Sequence, residues 1–174
     1  MNRNKQQEHN VEVKVGDRFP LTIHRLGVNG HGIGYYKHKV CFVPGALPNE
    51  VVVAEVTRVL PRYLEAKIHR IRKLSRYRVT PRDDYADIAG GFELENLDYQ
   101  QQLKFKRQVV LDSLEKFQPY GYRNYEVRPT IAAPEQYGYR NKAQFQVRLI
   151  NGKVAAGLYQ PNSHRLCSLP SVTP

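Results

Sequence analysis

Cysteine is scarce in this chain, with two in 174 residues. Cys41 and Cys167 stand too far apart to make a local metal or redox motif, and a reducing, cytoplasmic setting is expected. Cys41 lies in an apolar run and reads as core. Long apolar runs are also missing. None approaches the length of a membrane span, and the polar N-terminus lacks the hydrophobic region of a signal peptide, so no membrane association is expected. Residues 1–10 read as a disordered tail. His24, His31, His38 and His69 share no zinc spacing and read as exposed polar positions. Acidic side chains are outnumbered, 16 Asp and Glu against 27 Lys and Arg.

The basic excess is unevenly placed. Residues 11–79 hold 13 basic and 5 acidic side chains, net +8. Residues 80–118 hold 5 and 8, net −3, and residues 119–174 hold 7 and 2, net +5. Two basic modules around an acidic linker and helix suggest two surfaces that face one polyanion, in preference to lysines spread for solubility.

The stretch from Arg25 to Pro48 organises the chain. Asn29-Gly30 signals a type I′ turn, which needs positive φ at both central residues. Gly30-His31-Gly32-Ile33-Gly34 is not a dinucleotide fingerprint, because no helix follows; it reads as a strand-joining turn. Val40, Cys41, Phe42 and Val43 read as a buried strand halted by Pro44-Gly45. Before it stand Val11–Val15 and Phe19–Leu26, and after it Glu50–Leu60, bulged where the alternation slips, and Leu64–Ile71. Five short strands in so few residues predict a small OB-type barrel over 11–72. Lys37, Lys39, Arg58, Arg62, Tyr63, Lys67 and Arg70 put cations beside rings on it, the chemistry of nucleic-acid binding.

Residues 73–97 read as an irregular acidic linker. Asp98 then caps a helix, with Gln101 reaching back in a capping box and Pro119 ending it. Its apolar stripe is Leu103, Val110, Leu114 and Phe117. Ala143, Phe145, Val147 and Leu149 alternate with polar residues as a strand with one buried face. Asn151-Gly152 turns it into Val154–Tyr159, and Leu166–Leu169 makes one more strand. Arg140, Asn141 and Lys142 at the start of the Ala143–Leu149 strand, with Gln144, Gln146 and Arg148 on its polar face, are candidate contacts to phosphates, sugars and base edges. The fold class is mainly β: the barrel, then over 98–174 one helix and an antiparallel sheet of an incomplete second domain.

The glycine-rich stretch resembles the core of a TRAM domain, a small RNA-binding barrel. Three later segments extend the likeness: Ser75–Pro81, Leu97–Lys106 and Tyr139–Phe145. In that order they resemble the ribosomal RNA uracil-5-methyltransferases, including those acting on 23S RNA. The resemblance implies ribosomal RNA as partner, S-adenosylmethionine as methyl donor of the complete enzyme, and a catalytic C-terminal domain with its nucleophilic cysteine. Nothing after Tyr122 alternates strands and helices, so this chain is expected to match the barrel and part of the central domain, to hold no cofactor and to be inactive alone. A monomer is expected, with an exposed face where the catalytic domain would pack. Many members also hold an iron–sulfur cluster on a Cys-x5-Cys-Gly-Gly-Cys pattern. Gly90-Gly91 matches its glycines, but Asp83, Ala89 and Phe92 stand at the thiolate positions, which implies a cluster-free branch. The competing reading is a free-standing RNA-binding or ribosome-assembly module. A small-molecule enzyme ranks last, since no nucleophile, base and orienter come together.

Overall fold

The computed structural model describes residues 13–83, 89–161 and 163–169. The expected N-terminal tail, residues 11–12 and residues 170–174 lie outside them. Six strands form the first sheet: β1 (Arg18–Thr22), β2 (Arg25–Leu26), β3 (Gly32–Tyr36), β4 (Lys39–Val43), β5 (Val51–Val59) and β6 (Tyr63–Lys73). Their order is β1-β5-β6-β4-β3-β2, antiparallel except for the parallel β4–β6 pair. The two edge strands are consecutive in the chain. Between them the Ile23 amide donates to Glu50 O and the His24 amide to Ile33 O. Arg18–Leu26 is thus one bent path that reaches both ends of the sheet, which curls into a partly open barrel of the OB kind.

Alternation decides what faces inward. Phe19, Leu21, Ile23, Cys41, Val43, Val52, Ala54, Val56, Leu64 and Ala66 fill the interior, with Tyr36 stacked on Phe19 at 3.6 Å between ring centroids. Burial pushes the Cys41 thiol up to about 11, so it stays protonated. Phe42 does not belong to this core: it is half-buried on the other face, and Val40–Val43 is a strand with two faces.

The glycine stretch departs from the expected joining turn, because Gly32–Tyr36 is itself a strand. A Cβ on Gly34 would lie 2.6 Å from Thr22 O and 2.7 Å from Leu21 Cγ. Glycine is therefore required where β1 crosses β3, and that crossing lets the sheet close. The expected strand over Val11–Val15 is absent from its described part, where Val15-Gly16 turns. Five strand paths remain, with β3 in its place. The type I′ geometry also moves. At Asn29-Gly30 only Gly30 has positive φ, whereas Lys37 (φ 46°) and His38 (φ 63°) both do, joining β3 to β4. The expected bulges in β5 occur, with register shifts at Val51/Val52, Val53/Ala54 and Val56/Arg58.

One buried ion pair fastens the following segment to the barrel. Glu50, fully buried after the β4–β5 loop, receives Arg78 Nε at 2.6 Å and Nη2 at 2.9 Å. Its carboxylate also accepts the Leu47 and Ser75 amides. Arg78 Nη2 and Asn96 Nδ2 both donate to Gly45 O, and Arg78 bridges Leu97. Beneath them Leu26, Leu47 and Leu97 form a second small core, with Tyr77, Leu94 and Phe105 against it.

Helix α1 (Tyr99–Phe117) starts at Asp98, whose carboxylate accepts the Gln101 amide at 3.3 Å. The Asp98 amide donates to Tyr77 O, so the return arm of the expected box is replaced by the linker. Gln118 in the left-handed region and Pro119 end the helix. None of its residues is buried, and Val110 and Phe117 are exposed. A three-stranded antiparallel sheet follows: β7 (Gln146–Ile150), β8 (Lys153–Tyr159) and β9 (Leu166–Ser168). Its turn is Asn151-Gly152, both at positive φ, as expected. The expected buried face is not buried. Val147 is 65%, Leu149 72% and Val154 75% exposed, because nothing among the described residues packs on them.

Two outcomes follow from these contacts. Gly34→Ala should lower the melting temperature, since its Cβ would lie 2.6 Å from Thr22 O; an unchanged melting temperature would remove the crossing argument. Glu50 carries the pH dependence. Burial alone would raise its carboxyl, but hydrogen bonds from Arg78, Leu47 and Ser75 and the Arg78 charge hold it below the ordinary carboxylate range. Its contribution is present above the unfolded pKa of about 4.3 and is lost as pH falls through the lower folded value. Glu50→Gln should cost about 3–5 kcal/mol at pH 7, as a buried pair broken on one side does, and should flatten the acid limb of the melting-temperature profile.

Candidate nucleic-acid interface

The structure gathers some of the expected cations and disperses others. β4 pairs with β6 through Val40–Tyr63, so the turn before β4 and the turn before β6 lie side by side. Lys39 Nζ donates to Leu60 O at 3.2 Å and joins them. This end of the barrel therefore collects Lys37, Lys39, Arg62 and Tyr63. The Lys37 ammonium stands 5.3 Å from the Tyr36 ring centre, and Arg62 is exposed.

The outer face next to that end is aromatic. Tyr35, Val40 and Tyr63 are cross-strand neighbours in one row. Phe42 meets Tyr63 edge-on at 5.4 Å, and His24 lies 5.8 Å from the half-exposed Tyr35 ring. In OB-type barrels the face of the second and third strands and the loops beside it bind oligonucleotides. Here that face is β3–β4, flanked by the 27–31 and 60–62 turns. The 27–31 turn adds no cation at neutral pH: burial lowers the pKa of His31, with Glu93 and Glu65 acting the other way, and its Nδ1 faces Asn29 Nδ2 at 3.0 Å.

Arg58 and Lys67 are spoken for by carboxylates. Lys67 Nζ lies 2.9 Å from Glu55, which also holds Arg18 at 2.6 Å, and Arg58 lies 3.8 Å from Glu65. The hydrogen bonds from Lys67 and Arg18 lower the Glu55 pKa, so it stays charged. Arg70 is exposed on β6, opposite Val53.

In the second basic region, β7 begins only at Gln146, so Arg140, Asn141, Lys142 and Gln144 lie in an exposed irregular segment and not on a strand. Arg140 sits 5.6 Å from the Tyr139 ring centre. Arg148 is on the strand, with its Nη2 donating to Tyr159 OH at 3.0 Å. Phe42, which sequence reading placed in the buried strand, is the aromatic residue it missed for this face; its signal was the alternation with Cys41 and Val43.

The positions aligned with a cluster do not fit one. Asp83, Ala89 and Phe92 offer no thiolate, and Cys41 is sealed in the barrel, which leaves Cys167. Among the described residues no three His, Cys, Asp or Glu side chains gather as metal ligands. No described helix is long and apolar enough to cross a membrane.

The TRAM domain model matches residues 12–69, the barrel up to His69 in β6. Over 97% of its length the chain is 64% identical to an uncharacterized RNA methyltransferase of Lactiplantibacillus plantarum, and covers 36% of it. Over 88% it is 48% identical to another from Enterococcus faecalis, covering 34% of that protein. A solution structure of a conserved protein from Methanococcus maripaludis matches 40% of this chain and all of its own at 31% identity, with a TM-score of 0.33. The chain spans about a third of the length of the curated relatives it matches. Residues 12–69 thus match a TRAM domain, and the chain is similar to about a third of each of these longer uncharacterized RNA methyltransferases.

Proposed function

We propose that this chain is the RNA-gripping part of an S-adenosylmethionine-dependent ribosomal RNA uracil-5-methyltransferase. The observation that carries the reading is the barrel end where Lys37, Lys39 and Arg62 surround the Tyr35–Phe42–Tyr63 face, inside the matched TRAM domain. Cations there take phosphates and rings stack unpaired bases. A base-modifying enzyme must draw its target out of the stack, and a grip on the flanking RNA supports that step.

The methyl donor and the attacking thiolate belong, on this reading, to the part of the longer relatives that this chain does not span. The open apolar face of Val147, Leu149 and Val154 is the surface that part covers. The chain works without an iron–sulfur cluster, in the cytoplasm, as a monomer.

The test is fluorescence anisotropy with a ribosomal RNA hairpin across a salt series. Log affinity should fall linearly with log salt, and Lys39→Ala/Arg62→Ala should flatten the slope by roughly 1.4, two single-strand phosphate contacts. Lys67→Ala should change affinity little, since Glu55 already holds that ammonium. A slope indifferent to the double substitution would remove the barrel end as the grip. Supplied with RNA and radiolabelled S-adenosylmethionine, the chain by itself should transfer no methyl group; transfer would overturn the division of labour.

A further inference from the structure

A second feature lies outside the matched domain. Between the linker, the start of α1 and the 133–140 segment is a cleft of about 500 Å³, within the size range of small-ligand sites. The segment is anchored where the Ala133 amide donates to Tyr99 OH at 2.9 Å. Tyr137 and Tyr139 stand on its wall, each with a guanidinium against its ring: Arg82 at 4.8 Å from Tyr137 and Arg140 at 5.6 Å from Tyr139. Tyr139 is 62% exposed, which leaves the ring face away from Arg140 for a stacking partner.

The charged part of the lining is mainly acidic. Asp83, Glu93, Glu95 and Glu135 border the cleft, against two cations, Lys106 and Arg140. Glu95 Oε1 accepts the Arg82 and Asp83 amides, while its Oε2 is buried with no hydrogen-bond partner. Carboxylates repel a phosphate but accept hydrogen bonds from an exocyclic amino group, as Glu and Asp do from cytosine N4. The cleft thus suits a base and rejects the backbone, which would run past the rim arginines.

We propose that this cleft holds one unstacked, amino-bearing nucleobase of single-stranded RNA, stacked on Tyr139 and hydrogen-bonded to the carboxylate wall. The inference rests on the RNA-binding reading above and adds a base-selective contact to the barrel's phosphate grip.

The experiment compares the oligoribonucleotides C12 and U12, equal in charge and length, by anisotropy on the whole chain. The variants are Tyr139→Ala, Tyr139→Phe and Lys39→Ala/Arg62→Ala, with circular dichroism to confirm folding. C12 should bind about fivefold more tightly than U12. Tyr139→Ala should weaken C12 about tenfold with the salt slope unchanged, and Tyr139→Phe should keep most of the affinity. The barrel variant should flatten the slope while keeping the preference for C12. If C12 and U12 bind alike, or Tyr139→Ala binds like the parent while the barrel variant fails, the cleft is not a base site and the RNA reading survives. If the parent binds neither oligonucleotide nor a ribosomal hairpin, both fall together.

Discussion

The Glu50–Arg78 pair is the constraint on which the arrangement of the chain depends. A carboxylate with no solvent exposure is tolerable only when its oxygens are fully hydrogen-bonded, and here two guanidinium and two backbone donors do this. Burial of the pair is weak evidence for extra stability, because desolvation offsets much of the attraction. Its value lies in registry. It brings residues 75–78 onto the loop that leads into β5, and Asn96 and Leu97 follow onto the same loop. The barrel and the segment that leads to α1 are thereby one packed piece, although the linker contains little regular structure.

Charge on the barrel is sorted by the same kind of accounting. A net +8 over residues 11–79 suggests a uniformly cationic surface, but Glu55 takes up Arg18 and Lys67, and Glu65 opposes Arg58. Such exposed pairs contribute little to stability. Their effect is to mute the charge of the β1–β5–β6 face. Total charge therefore does not describe how charge is distributed over the sheet.

Much of this was legible in the order of residues, and the failures have physical causes. The Asn151-Gly152 hairpin, the Asp98 cap and the barrel class follow from local rules, because turn chemistry and two-residue alternation are read over a few positions. Gly32 and Gly34 misled because glycine weakens a strand locally; only the approach of Ala46 and Ile23 to Gly32, and of Leu21 and Thr22 to Gly34, makes them necessary. The Glu50–Arg78 pair spans 28 positions and has no local signature. The apolar face of β7–β8 misled in the opposite sense. Alternation there reports a face that some neighbour covers, and cannot say which chain segment supplies it.

The turn at Lys37-His38 has a consequence for how the barrel could change. Two bulky side chains hold left-handed backbone there, each at a cost on the order of 1–3 kcal/mol, where Asn-Gly would fit with less strain. Relaxing the turn would remove a cation from the end that gathers them, so backbone comfort and surface charge are opposed at this tip.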